Sequence, residues 1–554
     1  MPFVLRQETS DDFSPPLAAV HGQGRSRRVG RAVCYALLLL TVLFFALIRF
    51  RLGSMPLERD EGEYAYAGQL MLQGIPPYQL AYNMKLPGTY AAYALILAAF
   101  GQTSSGIHLG LTLVNACETL IIFVMARRLF GVIGGVVSGA SYALLSTSPY
   151  VLGLAGHATH FVVLAASAGI LVLMQAMRTK NDWLVLGAGV LFGLAFLMKQ
   201  PGFVFLVFAA VWLLRTGPCD QRRLAARVRS VLVLFAGALL PFAVTCALLF
   251  KAGVFQKFWF WTFSYAGKYA AAVPLSWAVP SFWKVLPHIV KSGFALWIVA
   301  AVGLTAFLWS SAAKKNAFFL TALLVFSLLG VSIGLRFRPH YFILMLPAVS
   351  LLIGAAIGYA TLKIATRDSI RGLRVAPVGL FLLVFCYSIF QQRNFLFGMT
   401  PDALTRYAYR ASPFPEAAQV GEYLRQHSPE SARIAVLGSE PEIYFYAHRH
   451  SATGYIYTYP MQENQPYALT MQEEMANEIE TAKPEYLVYV NVGESWSEDS
   501  PKLNLLFAWA GSYMADYYQE IDRVPVATQG DELTDSNLPA TRQFFIYILK
   551  RKPE

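Results

Sequence analysis

The chain has 554 residues, of which 56% are hydrophobic and only 14% charged, with a mean hydropathy of +0.45. That balance excludes an ordinary soluble protein. The net charge of +12 does not point to nucleic acid, because the basic residues cluster in short loops between apolar runs, a membrane-orientation pattern.

Eleven apolar spans are expected, at residues 33–50, 107–126, 132–152, 158–177, 183–199, 203–215, 231–250, 293–310, 317–335, 341–360 and 375–392. Basic groups fall on alternate loops: Arg25 to Arg28, Arg127-Arg128, Arg178 to Lys180, Arg222 to Arg229, Lys314-Lys315 and Arg367 to Arg374. The positive-inside rule makes that side cytoplasmic, together with an N-terminal tail, residues 1–32. An odd number of spans then puts everything after Arg393 outside. Residues 89–100 are apolar but too short to cross, and read as a helix along the outer surface. The first external loop therefore covers residues 49–106. No small-residue cleavage site follows the first span, which reads as an anchor. The cysteines are Cys34, Cys117, Cys219, Cys246 and Cys386, all in spans or cytoplasmic loops, so no disulfide framework is expected.

Beyond Arg393 charge rises and span-length apolar runs stop. Residues 432–438, 485–492 and 543–550 read as strands, and 415–427 and 502–520 as helices. The fold class expected is an α-helical polytopic membrane protein, its membrane domain over 33–392, carrying an extracytoplasmic α/β domain over 393–554 that folds as its own unit.

Charge beside lipid is costly and usually has a function. In the first external loop, Glu58-Arg59-Asp60-Glu61-Gly62-Glu63 is followed by Met84-Lys85-Leu86-Pro87. Asp60-x-x-Glu63 fits a capping box for a helix running to Gly74, and it also fits a general base. Glu61 is the neighbour that could bind a metal or tune that acid. Lys85 is either a snorkelling anchor or a cation for a phosphate, with Pro87 opening a helix just behind it. Arg336, Arg338, His340 and Tyr341 sit at another external boundary, as interfacial anchors or as a phosphate clamp. His157 and His160 are spaced to share a helix face, without a third metal ligand in view. Lys199 is a further external candidate for substrate binding.

The sequence Asp60-Glu61-Gly62-Glu63-Tyr64-Ala65, followed by Lys85-Leu86-Pro87-Gly88-Thr89-Tyr90, resembles the first external loop of GT-C fold glycosyltransferases. Within that fold it is most similar to glycosyltransferase family 39, which includes protein O-mannosyltransferases and the lipid A aminoarabinose transferase. Leu129-Phe130-Gly131, and Arg338-Pro339-His340-Tyr341 with Leu346-Pro347, also resemble motifs of that family. The resemblance spans residues 33–392. It implies a polyprenyl-phosphate sugar donor, an extracytoplasmic acceptor, inversion at the anomeric carbon, Asp60 as the catalytic acid of the loop and Lys85 on the donor phosphate. Some relatives carry a metal-binding acid directly before the lysine. Here that residue is Met84, so a divalent metal is left open. The resemblance also implies a multi-pass protein of the inner (plasma) membrane.

Two other classes compete. A lipid-linked sugar flippase or transporter would usually carry two-fold repeats and broken helices near the midplane, and neither is visible. A non-catalytic envelope assembly factor would use the external domain to bind partners. Loss of function on substitution of Asp60 separates the enzyme from both.

Overall fold

The computed structural model describes residues 24–215, 221–291, 293–366, 375–410, 412–496, 504–527 and 544–553. The tail before residue 24, Cys219 and the basic segment Arg367 to Arg374 lie outside the described residues. The other four cysteines are free thiols.

The chain opens with α1 (Gly24–Arg51), α2 (Arg59–Leu72), α3 (Pro87–Phe100), α4 (Ser104–Leu145), α5 (Ala158–Thr179), α6 (Asp182–Met198), α7 (Phe203–Arg215) and α8 (Gln221–Lys251). Further on come helices Leu275–Lys291, Phe294–Leu304, Lys314–Ser332, Leu346–Thr366 and Ala376–Gln391. Among the described residues, six stretches are long and apolar enough to cross a bilayer: Gly30–Arg51, Ser104–Leu145, Ala158–Thr179, Leu224–Lys251, Ser311–Ser332 and Pro339–Ala365. α4 covers two of the expected spans, because Gly131 breaks it at φ 84°, a left-handed conformation open to glycine. Helices α6, α7 and Ala376–Gln391 are shorter, and Leu275–Lys291 meets Phe294–Leu304 at a bend of 106°. The protein is a multi-pass membrane protein.

The expected surface helix is α3, with Pro87 at its first turn, where a missing N–H costs nothing. α2 and α3 lie side by side. The stretch beyond residue 393 forms a five-stranded sheet in the order β2-β1-β3-β5-β4, from β1 (Arg433–Leu437), β2 (His450–Ser451), β3 (Tyr486–Asn491), β4 (Tyr518–Val526) and β5 (Phe544–Arg551). β1 runs parallel to β2 and β3, and β5 antiparallel to β3 and β4. Helices Phe414–His427, Ala468–Ala482 and Asn504–Tyr517 flank it. The helix expected over 502–520 ends at Tyr517, and β4 takes over. β4 is an edge strand, exposed at six of its nine positions and containing Pro525, so it lacks the alternation that marks a strand.

Apolar packing divides the molecule differently from the expected domains. One core fills the helical bundle. A second joins α2, α3 and the loop between them to β1, β3 and β5 through Tyr64, Tyr66, Tyr78, Tyr82, Val436, Tyr444 and Ile456. Tyr66 stacks on Tyr444 with centroids 5.2 Å apart. The sheet domain and the first external loop therefore share one interior.

Candidate active site

α2 is capped by Glu58, not by Asp60. The Glu58 carboxylate accepts from the Glu61 backbone N at 3.0 Å, and the Glu61 carboxylate accepts from the Glu58 N at 3.3 Å. This is a capping box two residues earlier than the sequence pattern indicated. Asp60 is thereby released from capping, and its carboxylate faces the loop before α3.

Two donors converge on one oxygen of Asp60. Lys85 Nζ lies 2.5 Å from Oδ1, and the Tyr457 hydroxyl donates to the same atom at 3.2 Å. The other oxygen, Oδ2, lies 3.7 Å from His157 Nδ1 and 4.0 Å from His340 Nε2. The two imidazoles stack with centroids 4.1 Å apart and planes inclined by 12°. Neither ring nitrogen of His157 has a hydrogen bond among the described residues, although the side chain is only 2% exposed.

Lys85 is shared. Its ammonium also reaches Glu63 Oε2 at 2.8 Å and lies 4.7 Å from the centre of the Tyr64 ring. Glu63 is fully buried and also accepts from Asn83 Nδ2 at 2.8 Å and the Tyr90 hydroxyl at 2.5 Å. Burial pushes the Asp60 carboxyl up, but Lys85, His157 and His340 outweigh it and hold it well below the usual carboxylate range. Burial likewise pulls Lys85 down, and Asp60 and Glu63 together hold it well above the usual lysine range. Both groups are therefore charged.

The remaining candidates are placed unequally. Glu61 is fully buried, and its Oε1 accepts from the Gly156 N at 2.5 Å and pairs with His108 Nε2 at 3.1 Å. That carboxylate braces α2 against α4 and the start of α5. Lys199 closes α6, with Nζ 4.2 Å above the centre of the Tyr341 ring. Arg336 is 3.8 Å over the Tyr269 ring and 3.7 Å from Glu463, and Arg338 is exposed. His160 is buried further along α5. The ring facing His157 belongs to His340, not to His160, the residue that the spacing put on its helix face. In the sequence, Glu63 stands out only as the capping partner of Asp60 and as part of the loop motif, and Tyr457 is not among the candidates. The only hint was the tyrosine alternation Tyr455, Tyr457, Tyr459.

Asp60, His157 and His340 each offer a donor atom, and these lie within 4.8 Å of one another. Two imidazoles and a carboxylate suit a borderline divalent ion such as Zn²⁺, and the unbonded nitrogens of His157 fit that use.

Residues 85–247 match the family described as dolichyl-phosphate-mannose-protein mannosyltransferase. No curated protein matches the chain. Among solved structures, ArnT from Cupriavidus metallidurans bound to undecaprenyl phosphate superposes with a TM-score of 0.55 at 16% identity, covering 93% of this chain and 97% of that one. The apo state of the same protein gives 0.54 at 15%, over 93% and 98%. The Archaeoglobus fulgidus oligosaccharyltransferase tethered to an acceptor peptide gives 0.48 at 14%, over 87% and 72%. The chain thus has the GT-C fold of multi-pass membrane glycosyltransferases, with a small C-terminal α/β domain.

Proposed function

We propose that this protein is a glycosyltransferase that moves a sugar from a polyprenyl-phosphate carrier to an acceptor outside the cytoplasm. The observation that carries this reading is the split environment of Asp60, with one oxygen pinned by donors and the other turned to the stacked rings of His157 and His340. An acceptor hydroxyl or amine approaching Oδ2 loses its proton there as its heteroatom bonds to the anomeric carbon. The bond from that carbon to the phosphate oxygen breaks on the opposite face, which inverts the centre. The polyprenyl phosphate leaves as an anion beside Lys85, with Lys199 as the second nearby cation.

Lys85 links the two halves of the reaction. A donor phosphate competes with Asp60 and Glu63 for the ammonium. As the phosphate takes it, Asp60 loses its main counter-charge and becomes the stronger base. The undecaprenyl phosphate bound to the similar ArnT supports a lipid-phosphate donor. A divalent ion held by Asp60, His157 and His340 would supply Lewis-acid stabilisation of phosphate charge.

The basic loops support an inner-membrane orientation with the N-terminus inside and the catalytic loop outside. The deciding experiment is transfer in proteoliposomes loaded with a polyprenyl-phosphate sugar. Wild-type protein is expected to release polyprenyl phosphate in step with a glycosylated acceptor, and Asp60→Asn to release it about 10²–10⁴-fold more slowly. Movement of intact lipid-linked sugar between leaflets without bond cleavage would refute the enzyme reading in favour of a flippase.

A further inference from the structure

Residues 452–458 follow β2 as a strap across α2. Ala452, Thr453, Tyr455, Ile456, Tyr457 and Thr458 are all buried, although the segment has no regular structure. Irregular backbone is normally exposed, so its burial needs anchors. At its entry the Ser451 N donates to the Tyr66 hydroxyl at 2.7 Å. In its middle the Gly454 carbonyl accepts from the Tyr82 N at 2.7 Å, and Glu478 accepts from the Thr453 hydroxyl and the Gly454 N. Gly454 lies flat on the Tyr82 ring, where an added Cβ would come within 2.1 Å of Cζ. At its exit the Tyr457 hydroxyl meets Asp60 Oδ1. Nearby, Arg59 holds the Ser439 carbonyl at 2.5 Å and Glu440 at 2.8 Å. Every anchor on the loop side belongs to the first external loop.

From this we infer that the C-terminal domain completes the active site, with Tyr457 as a positioning residue that fixes the rotation of the Asp60 carboxylate. The inference rests on the reading of Asp60 as the base. A carboxylate held through one oxygen by a single flexible lysine can turn about its own axis. A second donor from a strap clamped at Tyr66 and Tyr82 stops that rotation and leaves Oδ2 aimed at His157 and His340. The phenol gains importance during the reaction. When a donor phosphate takes the Lys85 ammonium, Tyr457 is the donor that remains on Oδ1. Its ring is packed at 5.9 Å from that of Tyr459, so the hydroxyl is directed by the strap.

The test uses the full-length protein in proteoliposomes with a polyprenyl-phosphate sugar. Tyr457→Phe keeps the ring and its packing and removes only the hydroxyl. Loss of one hydrogen bond to a charged group is expected to lower kcat about tenfold or more. KM for the lipid donor and the melting temperature are expected to stay near wild type, because the phenol touches neither the phosphate nor a buried orphan. Gly454→Ala, which lifts the strap from Tyr82, is expected to lower kcat in the same way. A Tyr457→Phe protein with unchanged kcat, or one whose loss lies in KM or melting temperature alone, would overturn the positioning role. Asp60→Asn is measured alongside. Activity retained in that variant removes the base itself, whereas an inactive Asp60→Asn with a fully active Tyr457→Phe overturns this inference alone.

Discussion

Asp60 and Glu58 divide two roles that a single local pattern had merged. Glu58 accepts the helix-starting N–H, so Asp60 is free to be charged and directed. Asp60→Asn is therefore expected to lower the transfer rate by about 10²–10⁴ with no change in melting temperature, as for the loss of a general base. Glu58→Ala is expected to cost about 1 kcal/mol of stability through the lost cap. A large melting shift in Asp60→Asn would return Asp60 to a structural role. Lys85→Ala has two effects. Donor use is expected to weaken about ten- to a hundredfold, the usual range for a charge-assisted contact. It also strips the cation from buried Glu63, and removing one partner of a buried pair typically costs about 3–5 kcal/mol. Lys85→Arg is expected to restore stability more than activity, which donor kinetics and thermal unfolding would separate. Asp60 and Lys85 were legible in the sequence because charges beside a membrane stand out against apolar neighbours. Tyr457 was not, since it lies 397 positions from Asp60 and nothing local marks one tyrosine among 29.

At the level of elements, the contact between α2 and helix Glu442–Ala447 links the loop that carries Asp60 to the C-terminal domain. Gly62 makes it close. A Cβ there would lie 2.5 Å from Glu442 Cβ and 2.6 Å from the Glu442 N. Gly62→Ala is expected to force the two apart, seen as faster proteolysis after residue 393 and a loss of transfer; wild-type protection would show that the helices can give. Glu442 itself is fully buried, and neither carboxylate oxygen has a hydrogen bond among the described residues. Burial, with Glu440 and Glu58 adding to it against Arg59, raises its carboxyl well above the ordinary 4.5. The fold thus favours the neutral acid. That contribution is full below pH 4.5 and is lost as pH rises through the folded-state value. Melting temperature is expected to fall over that rise in wild type and to fall less in Glu442→Gln. Identical pH profiles of melting would exclude Glu442 as the cause. The elements themselves were readable where period and punctuation were strong. α3 follows from Pro87 and an apolar run, and β1, β3 and β5 from β-branched and aromatic runs. β4 escaped because an exposed edge carries no buried face to write a pattern.

Across the whole molecule, helix direction supports the sidedness that the basic loops suggest. α5 is capped by His157 beside Asp60 and carries in its last turn Arg178, whose charge acts on Arg128 at the far end of the bundle. Asp60, Lys85, His157, Lys199, His340 and Tyr457 thus gather at one end, and basic residues at the other. A reporter active only in the cytoplasm, fused after Glu554, is expected to be silent; signal from it would invert the orientation. The domain boundary was the least legible feature. Composition changes sharply after Arg393 and suggests an independent unit, but composition records how polar a segment is, not what its apolar face touches. Here that face meets Tyr66, Tyr78 and Tyr82 of the first external loop. Aromatic side chains dominate burial energetics, so losing this wall removes much of the core's apolar contact. Residues 400–554 produced alone are therefore expected to unfold without a cooperative transition and to bind a dye for exposed apolar surface. Fusing residues 54–100 to them through a flexible linker is expected to restore cooperativity but no transfer, because His157, Lys199 and His340 stay with the bundle. Sharp, reversible unfolding of the isolated 400–554 segment would show that its own sheet suffices, and that the tyrosine wall serves docking alone.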